Sequence, residues 1–301
     1  MNSIISVIVA LALSMLAWPA SAALKVFACE PEWAALAQEL GGDRVTVYGG
    51  TTAQQDPHRI EARPSLIARV RSADLVVCTG AELEAGWLPL LLTQAGNAKV
   101  QPGSAGFIEA SQFALKLEIP KSVDRSLGDI HPSGNPHVHL DPRNIARIAE
   151  ALSERLTRID PGNADGYRAR SVSFQQRWRE SVARWEQQAA RLRGIPVVVY
   201  HRDMSYLIHW LGLREAGALE PKPGIPPSPA HLAELVERMR RDPAKAIVYS
   251  AYNDPKAAEF LSGRSGIPAL MLPFTVGGSE RAKDLFGLYD DTLARLLRAV
   301  K

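Results

Sequence analysis

The segment HPSGNPHVHLDP, residues 131–142, carries three of the chain's seven histidines, His131, His137 and His139. Gly134 and the prolines at 132, 136 and 142 keep it out of any continuous helix. An imidazole nitrogen is the commonest protein ligand for a divalent transition metal. Zn²⁺ takes such nitrogens, neutral, at about 2.0–2.1 Å in a tetrahedral array. Two more histidines sit in comparable places. His58 lies in QQDPHRIEARPS, between an apolar run and Pro64. His201 follows VVVY directly. In an extended loop, side chains two residues apart point to opposite faces, so only one of His137 and His139 faces a given ion. The other histidines read as structural. His131, before Pro132, reads as a surface loop residue. His209, in YLIHWLG, reads as packed. His231, just after Pro229, reads as solvated.

The elements that must position these groups alternate along the chain. Short apolar runs predict strands at 25–29, 44–49, 74–79 and 107–110, with helices at 31–41, 64–72 and 82–95 between them. Asp141 and Pro142 open a further helix that stops at Pro161-Gly162. Phe174, Trp178, Val182, Trp185, Ala189 and Leu192 recur every three or four residues and predict a long helix over 163–193. The alternation then restarts. Strands are predicted at 196–200, 215–219, 246–250 and 268–272, and helices at 204–211, 229–241, 255–264 and 279–300. Strands alternating with helices imply parallel sheets covered on both faces. The fold class is therefore α/β, in two lobes joined by one long helix. Its parts are expected at 23–162, 163–194 and 195–301. A ligand in such sheets sits beyond the carboxyl ends of the strands, where His58 and His201 fall. GGSE, 277–280, reads as a turn plus a helix N-cap, not a phosphate cradle.

Composition narrows the class. Apolar residues make up 46% and charged residues 22%, a globular balance. The net charge is +3, with no basic block, so nucleic acid is not an expected partner. Residues 4–18 are apolar apart from two serines, and PASA follows. This predicts an exported chain with a signal peptide over 1–22, cleaved after Ala22. No cysteine stands at that point to carry a lipid. No other run is long and apolar enough to span a bilayer, so no stable membrane insertion is expected after cleavage. Cys29 and Cys78, each near the end of a predicted strand, are compatible with one disulfide or with two buried thiols.

QDPHRIEARPSLIARVRSADLVVCTGAELEAGW, GNPHVHLDPRN, YHRDMSYLIHWLGL and PSPAHLAELV occur in the order and rough spacing of a known family. Across the mature length, the chain resembles the zinc/manganese substrate-binding proteins of ABC transporters, the TroA-like and ZnuA-like periplasmic group. The resemblance implies two lobes of four-stranded parallel sheet bridged by a long α-helix, with a metal held in the cleft between them. Carried over position by position, it implies His58, His137 and His201 as metal ligands. His139 falls where the family usually has an aromatic residue. The implied cargo is Zn²⁺, with Mn²⁺ or another divalent transition metal as alternatives, and the implied partner is a membrane permease. A periplasmic monomer without enzyme activity is expected.

The chain also departs from the family pattern. Ser250 stands where some members carry a glutamate, and Met271-Leu272-Pro273 where others have Leu-Asp-Pro. Glu30, His139 or a water are the candidates for the fourth metal position. Two other functions use similar parts. A three-histidine zinc site also serves hydrolases, although no H-E-x-x-H occurs here. A binding protein for a metal chelate would need a wider cleft. Replacing His201 by Ala is expected to weaken zinc binding strongly, whereas His209→Ala leaves it nearly unchanged; a competition titration against a chromophoric chelator measures both.

Overall fold

The computed structural model describes residues 22–122, 124 and 128–300. The signal peptide read over 1–22 lies outside these apart from Ala22. Among the described residues no helix is long and apolar enough to cross a membrane.

Two four-stranded parallel sheets form the frame. The first comprises β1 (Leu24–Ala28), β2 (Val45–Gly49), β3 (Leu75–Cys78) and β4 (Phe107–Glu109), in the order β2-β1-β3-β4. The second comprises β5 (Pro196–Val199), β6 (Arg214–Ala218), β7 (Ala246–Ser250) and β8 (Ala269–Leu272), in the order β6-β5-β7-β8. In both, the chain leaves the central strand to one side and returns on the other. Such a switch point opens a crevice past the carboxyl ends of the strands. Covering helices are α1 (Pro31–Gly41), α2 (Pro64–Arg71), α3 (Leu88–Ala95), α4 (Pro142–Ile159), α5 (Ala164–Ala189), α6 (Ser205–Leu211), α7 (Pro229–Arg241), α8 (Lys256–Ser265) and α9 (Leu285–Ala299).

Two predicted helices begin later than their apolar patterns suggest. The first begins at Leu88 instead of 82 because Ala81 and Glu82 take positive φ. There the Glu84 carboxylate folds back and accepts the backbone N–H groups of Thr79 and Gly80. The second begins at Leu285 instead of 279, and Asp284 is its N-cap, accepting from Gly287 N at 2.7 Å. Ser279 instead donates to Asp291. The turn at Gly277-Gly278 is a demand of the backbone. A Cβ on Gly278 would lie 1.8 Å from the Pro273 carbonyl oxygen.

Helix α5 joins the two halves. Its 26 residues extend about 40 Å at 1.5 Å per residue. Tyr167, Phe174, Trp178 and Trp185 are completely buried along one side. Trp178 donates its indole N–H to the Pro142 carbonyl at the start of α4, at 2.8 Å. Trp185 donates to Asp290 on α9 at 2.6 Å and stacks on Tyr289 with ring centroids 4.9 Å apart. Apolar side chains of both sheets, Val26 and Val77 on one side and Val197 and Val199 on the other, join one continuous core through this helix. Cys29 and Cys78, at the ends of neighbouring strands with Cα atoms 4.8 Å apart, form a disulfide. Trp178→Ala is expected to destabilise the protein by about 3–5 kcal/mol, the cost of emptying an aromatic site in a packed core; urea unfolding measures it.

Candidate metal centre

Each half of the crevice contributes a histidine by a different local device. After β2, the chain turns through Asp56-Pro57-His58. The Asp56 carboxylate accepts the backbone N–H of His58 at 3.0 Å and pairs with its ring Nδ1 at 2.7 Å. Trp87 donates to the Pro57 carbonyl from beneath. After β5, Tyr200 leads straight into His201. Its Nδ1 lies 2.6 Å from Glu220 Oε2, just past β6. In both cases a carboxylate fixes the tautomer and leaves Nε2 aimed elsewhere, the usual support of a metal-ligating imidazole.

His137 is set by its loop. Its backbone N–H donates to Asn135 Oδ1 at 3.0 Å, and Asn135 Nδ2 reaches across to the Arg202 carbonyl at 2.8 Å. Tyr206 on α6 donates to the Asn135 carbonyl. Asp141 caps α4 by accepting from Arg143 N, and Asn144 Nδ2 holds the Val138 carbonyl. The polar residues of the histidine-rich segment thus fasten it from both ends.

The three rings meet. His58, His137 and His201 each offer a nitrogen, and these atoms all lie within 4.8 Å of one another. Ring centroids are 5.4 Å apart for His58 and His137, and 6.0 Å for each of the other two pairs. Tetrahedral bonds of about 2.05 Å put nitrogens about 3.3 Å apart, so small ring rotations suffice for a shared ion. Among the described residues, four buried ring nitrogens have no hydrogen-bond partner: Nε2 of His58, both nitrogens of His137, and Nδ1 of His139, which faces Glu32 instead of the other rings. Buried polar atoms are ordinarily paired, and orphans at one point call for a ligand.

The electrostatics differ among the three. Burial first, and the neighbouring imidazoles His58 and His201 next, hold His137 well below the ordinary histidine range. Burial pulls His201 the same way, but the hydrogen bond to Glu220 and the charges of Asp203, Glu220 and Asp56 outweigh it and raise its pKa. For Asp56, burial is outweighed by the bond to His58, and its pKa falls.

The remaining sequence candidates go elsewhere. Glu30 is buried and accepts from the Thr79 backbone N–H and hydroxyl. Burial and the charges of Glu84 and Glu32 push its carboxyl well above the usual range. His139 has Nδ1 at 3.1 Å from Glu32 Oε1 and Nε2 at 3.1 Å from the Phe274 carbonyl. Both are engaged away from the three imidazoles. His131 corrects its reading as a surface residue. Its ring stands 5.3 Å from that of His58, and burial pushes its pKa down to about 4. His209 is exposed on α6 rather than packed. His231, read as solvated, is half-buried with Nε2 at 2.9 Å from the Ala218 carbonyl.

Asp203, buried two residues past His201, and the orienting acids Asp56 and Glu220 do not stand out in the sequence. A D-x-H pair at 56–58 was the available signal for Asp56. A second cluster with metal-ligand geometry, Cys29, Cys78 and Glu84, has its two sulfurs bonded to each other. A cavity of about 570 Å³ opens beside His131, His137 and His201, with Arg202 and Glu220 also on its wall.

Residues 26–299 match the profile of the ZnuA family, described as zinc-uptake complex component A, periplasmic, and the chain belongs to that family. It is similar to the zinc-binding lipoprotein AdcA of Streptococcus pneumoniae, 23% identical over 88% of this chain. The match covers 52% of AdcA, so the chain spans about half the length of that relative. The manganese ABC transporter substrate-binding lipoprotein PsaA of the same species is 22% identical, over 84% of this chain and 80% of PsaA. A crystal structure of ZnuA shares the fold with a TM-score of 0.79 at 20% identity, covering 93% of this chain and all of that one.

In metal-free protein, nitrogen-15 NMR of the imidazoles is expected to show His201 protonating above about pH 6.5, the free-histidine value, while His137 remains neutral there. Glu220→Gln should lower the His201 midpoint.

Proposed function

We propose that the chain is an extracytoplasmic solute-binding protein that captures a divalent transition metal, Zn²⁺ first, and presents it to the permease of an ABC transporter. The observation that carries this reading is the meeting of His58, His137 and His201 with orphaned nitrogens at the centre. These three are the proposed ligands. An all-imidazole donor set favours Zn²⁺ over Mn²⁺, which prefers oxygen. Family membership supports the transport role, and relatives named for zinc and for manganese support both ions as cargo classes. The proposed organisation is a signal peptide over 1–22, a lobe over 23–162, a linking helix over 163–194 and a lobe over 195–301, acting as a periplasmic monomer without enzymatic turnover. The sheets on either side of α5 support that division.

The carboxylates do not ligate the ion in this reading. Asp56 and Glu220 hold Nδ1 of their histidines so that Nε2 is the donor. The ion's charge is then offset through the rings. A second cargo reading, a small metal chelate, is favoured by the 570 Å³ cavity, which exceeds the volume of a bare ion and falls in the range of organic-ligand pockets. Zinc titrations with and without excess free amino acid separate the two: tighter capture in its presence selects the chelate.

Protons compete with the metal at Nε2. Because the His201 pKa is raised, that competition begins above the ordinary histidine value as pH falls. One zinc per chain is expected at neutral pH, with affinity declining steadily as the solution is acidified through His201. Replacement of His137 by Ala should abolish tight binding. Isothermal titration from about pH 8 to pH 5 checks this, bracketing the free-histidine value near 6.5; an affinity flat across that range contradicts it.

A further inference from the structure

Three imidazoles leave a four-coordinate ion one ligand short. Among the described residues, no fourth histidine, cysteine, aspartate or glutamate joins the group whose donor atoms lie within 4.8 Å of one another. Glu30 and His139 are engaged by Thr79 and by Glu32 and Phe274. The fourth ligand on this account is a water. A metal-bound water in a buried site carries two polarised protons, and each needs an acceptor.

Three carboxylates among the described residues have a buried oxygen without a partner: Glu30, Asp203 and Asp291. Glu30 faces Glu84 and Glu32. Asp291 lies on α9, bound by Arg295 and Ser279. Of the three, Asp203 is the one placed beside a proposed ligand, two residues past His201. It sits in the short turn that follows His201 and is 1% exposed. Its Oδ2 is held from two sides, by the hydroxyl of Ser250 at the end of β7 and by the Tyr252 hydroxyl at 2.9 Å. Tyr252 in turn packs on Phe274, whose ring touches His137 edge-on at 5.5 Å. The two hydroxyls fix the carboxylate plane and leave Oδ1 bare. Its charge acts on His201 ahead of those of Glu220 and Asp56.

We propose that Asp203 is the positioning residue of the fourth coordination place: Oδ1 accepts a hydrogen bond from a water bound to the ion. This rests on the metal-capture reading above. It gives the buried cation an anion that acts through neither Asp56 nor Glu220. It also explains why a carboxylate is kept dry with one oxygen unpaired, an arrangement that costs free energy in the metal-free protein. Standing outside the cluster of donor atoms, Asp203 works through the water instead of replacing it.

The test compares wild type with Asp203→Asn and Asp203→Ala. Zinc affinity is read by competition with a chromophoric chelator, and thermal unfolding of the metal-free forms reports on folding. Both variants are expected to weaken zinc about 10–100-fold, the usual cost of removing a supporting partner. The metal-free melting temperature of Asp203→Asn should not fall, because its amide oxygen still accepts from the Ser250 and Tyr252 hydroxyls, whereas Asp203→Ala leaves both unpaired and should melt lower. Should Asp203→Ala fail to fold, the isosteric Asp203→Asn carries the comparison alone. Azide added to the cobalt(II)-loaded proteins gives a readout that a merely structural role would not move. With the carboxylate gone, azide should displace the water at concentrations about tenfold lower, because the anion no longer meets a fixed negative charge. Zinc affinity within about threefold of wild type in both variants, a change far below that cost, with unaltered azide binding, overturns the proposal. If zinc binding is still lost in His137→Ala, the cargo reading survives that result. A wild-type protein that binds no metal overturns both.

Discussion

Imidazolium groups crowded into one buried corner repel each other, so three histidines this close cannot all be protonated together, and a single shared cation relieves the conflict. That constraint governs the crevice. Burial and the neighbouring rings hold His137 far from protonation. Two acids take the opposite side of His58 and His201, so each ring presents a lone pair inward. The resulting cluster of unpartnered nitrogens costs stability by itself. A cation of the right size turns that cost into binding energy, which is the reason such a cluster is worth keeping.

Holding the cluster falls to the scaffold. The three histidines come from loops after β2, before α4 and after β5, so two sheets must keep a common frame to within a fraction of an ångström. Helix α5 supplies it. Its tryptophans bond to α4 on one side and to α9 on the other, and the apolar core runs through the helix without a break. Polar ties cross the crevice as well. Asn135 reaches the Arg202 carbonyl, and Thr275 donates to the Glu32 carboxylate. A frame fastened at both the bridge and the mouth favours small adjustments over hinge bending. The rotations that bring the nitrogens together are of that size.

Much of this was legible in the sequence. Strand and helix alternation located all eight strands to within a residue or two, because short β-branched runs between helices leave few other packings. The histidines in Pro- and Gly-rich loops were legible as chemistry, since nothing in a loop's own structure asks for an imidazole. What escaped depended on distant contacts. The helix expected at 82 starts at Leu88 because Glu84 turns back onto backbone amides, a tertiary competition that periodicity does not record. His131 read as surface because its neighbour, His58, is far away in sequence and meets it only in the fold. Glu30 stood at a strand end, as a donor should, yet its side chain turns toward Thr79. Asp203 gave no signal beyond its place after His201, for its meaning lies in two hydroxyls contributed from β7 and the loop beyond it.

In the proposed metal site, three imidazoles from both halves of the molecule bind one ion. X-ray absorption at the zinc edge on the one-to-one complex tests it most directly. Four light-atom neighbours are expected at about 2.0–2.1 Å, with the outer-shell scattering of three imidazole rings. A sulfur shell at about 2.3 Å, or a zinc without imidazole scattering, would contradict it.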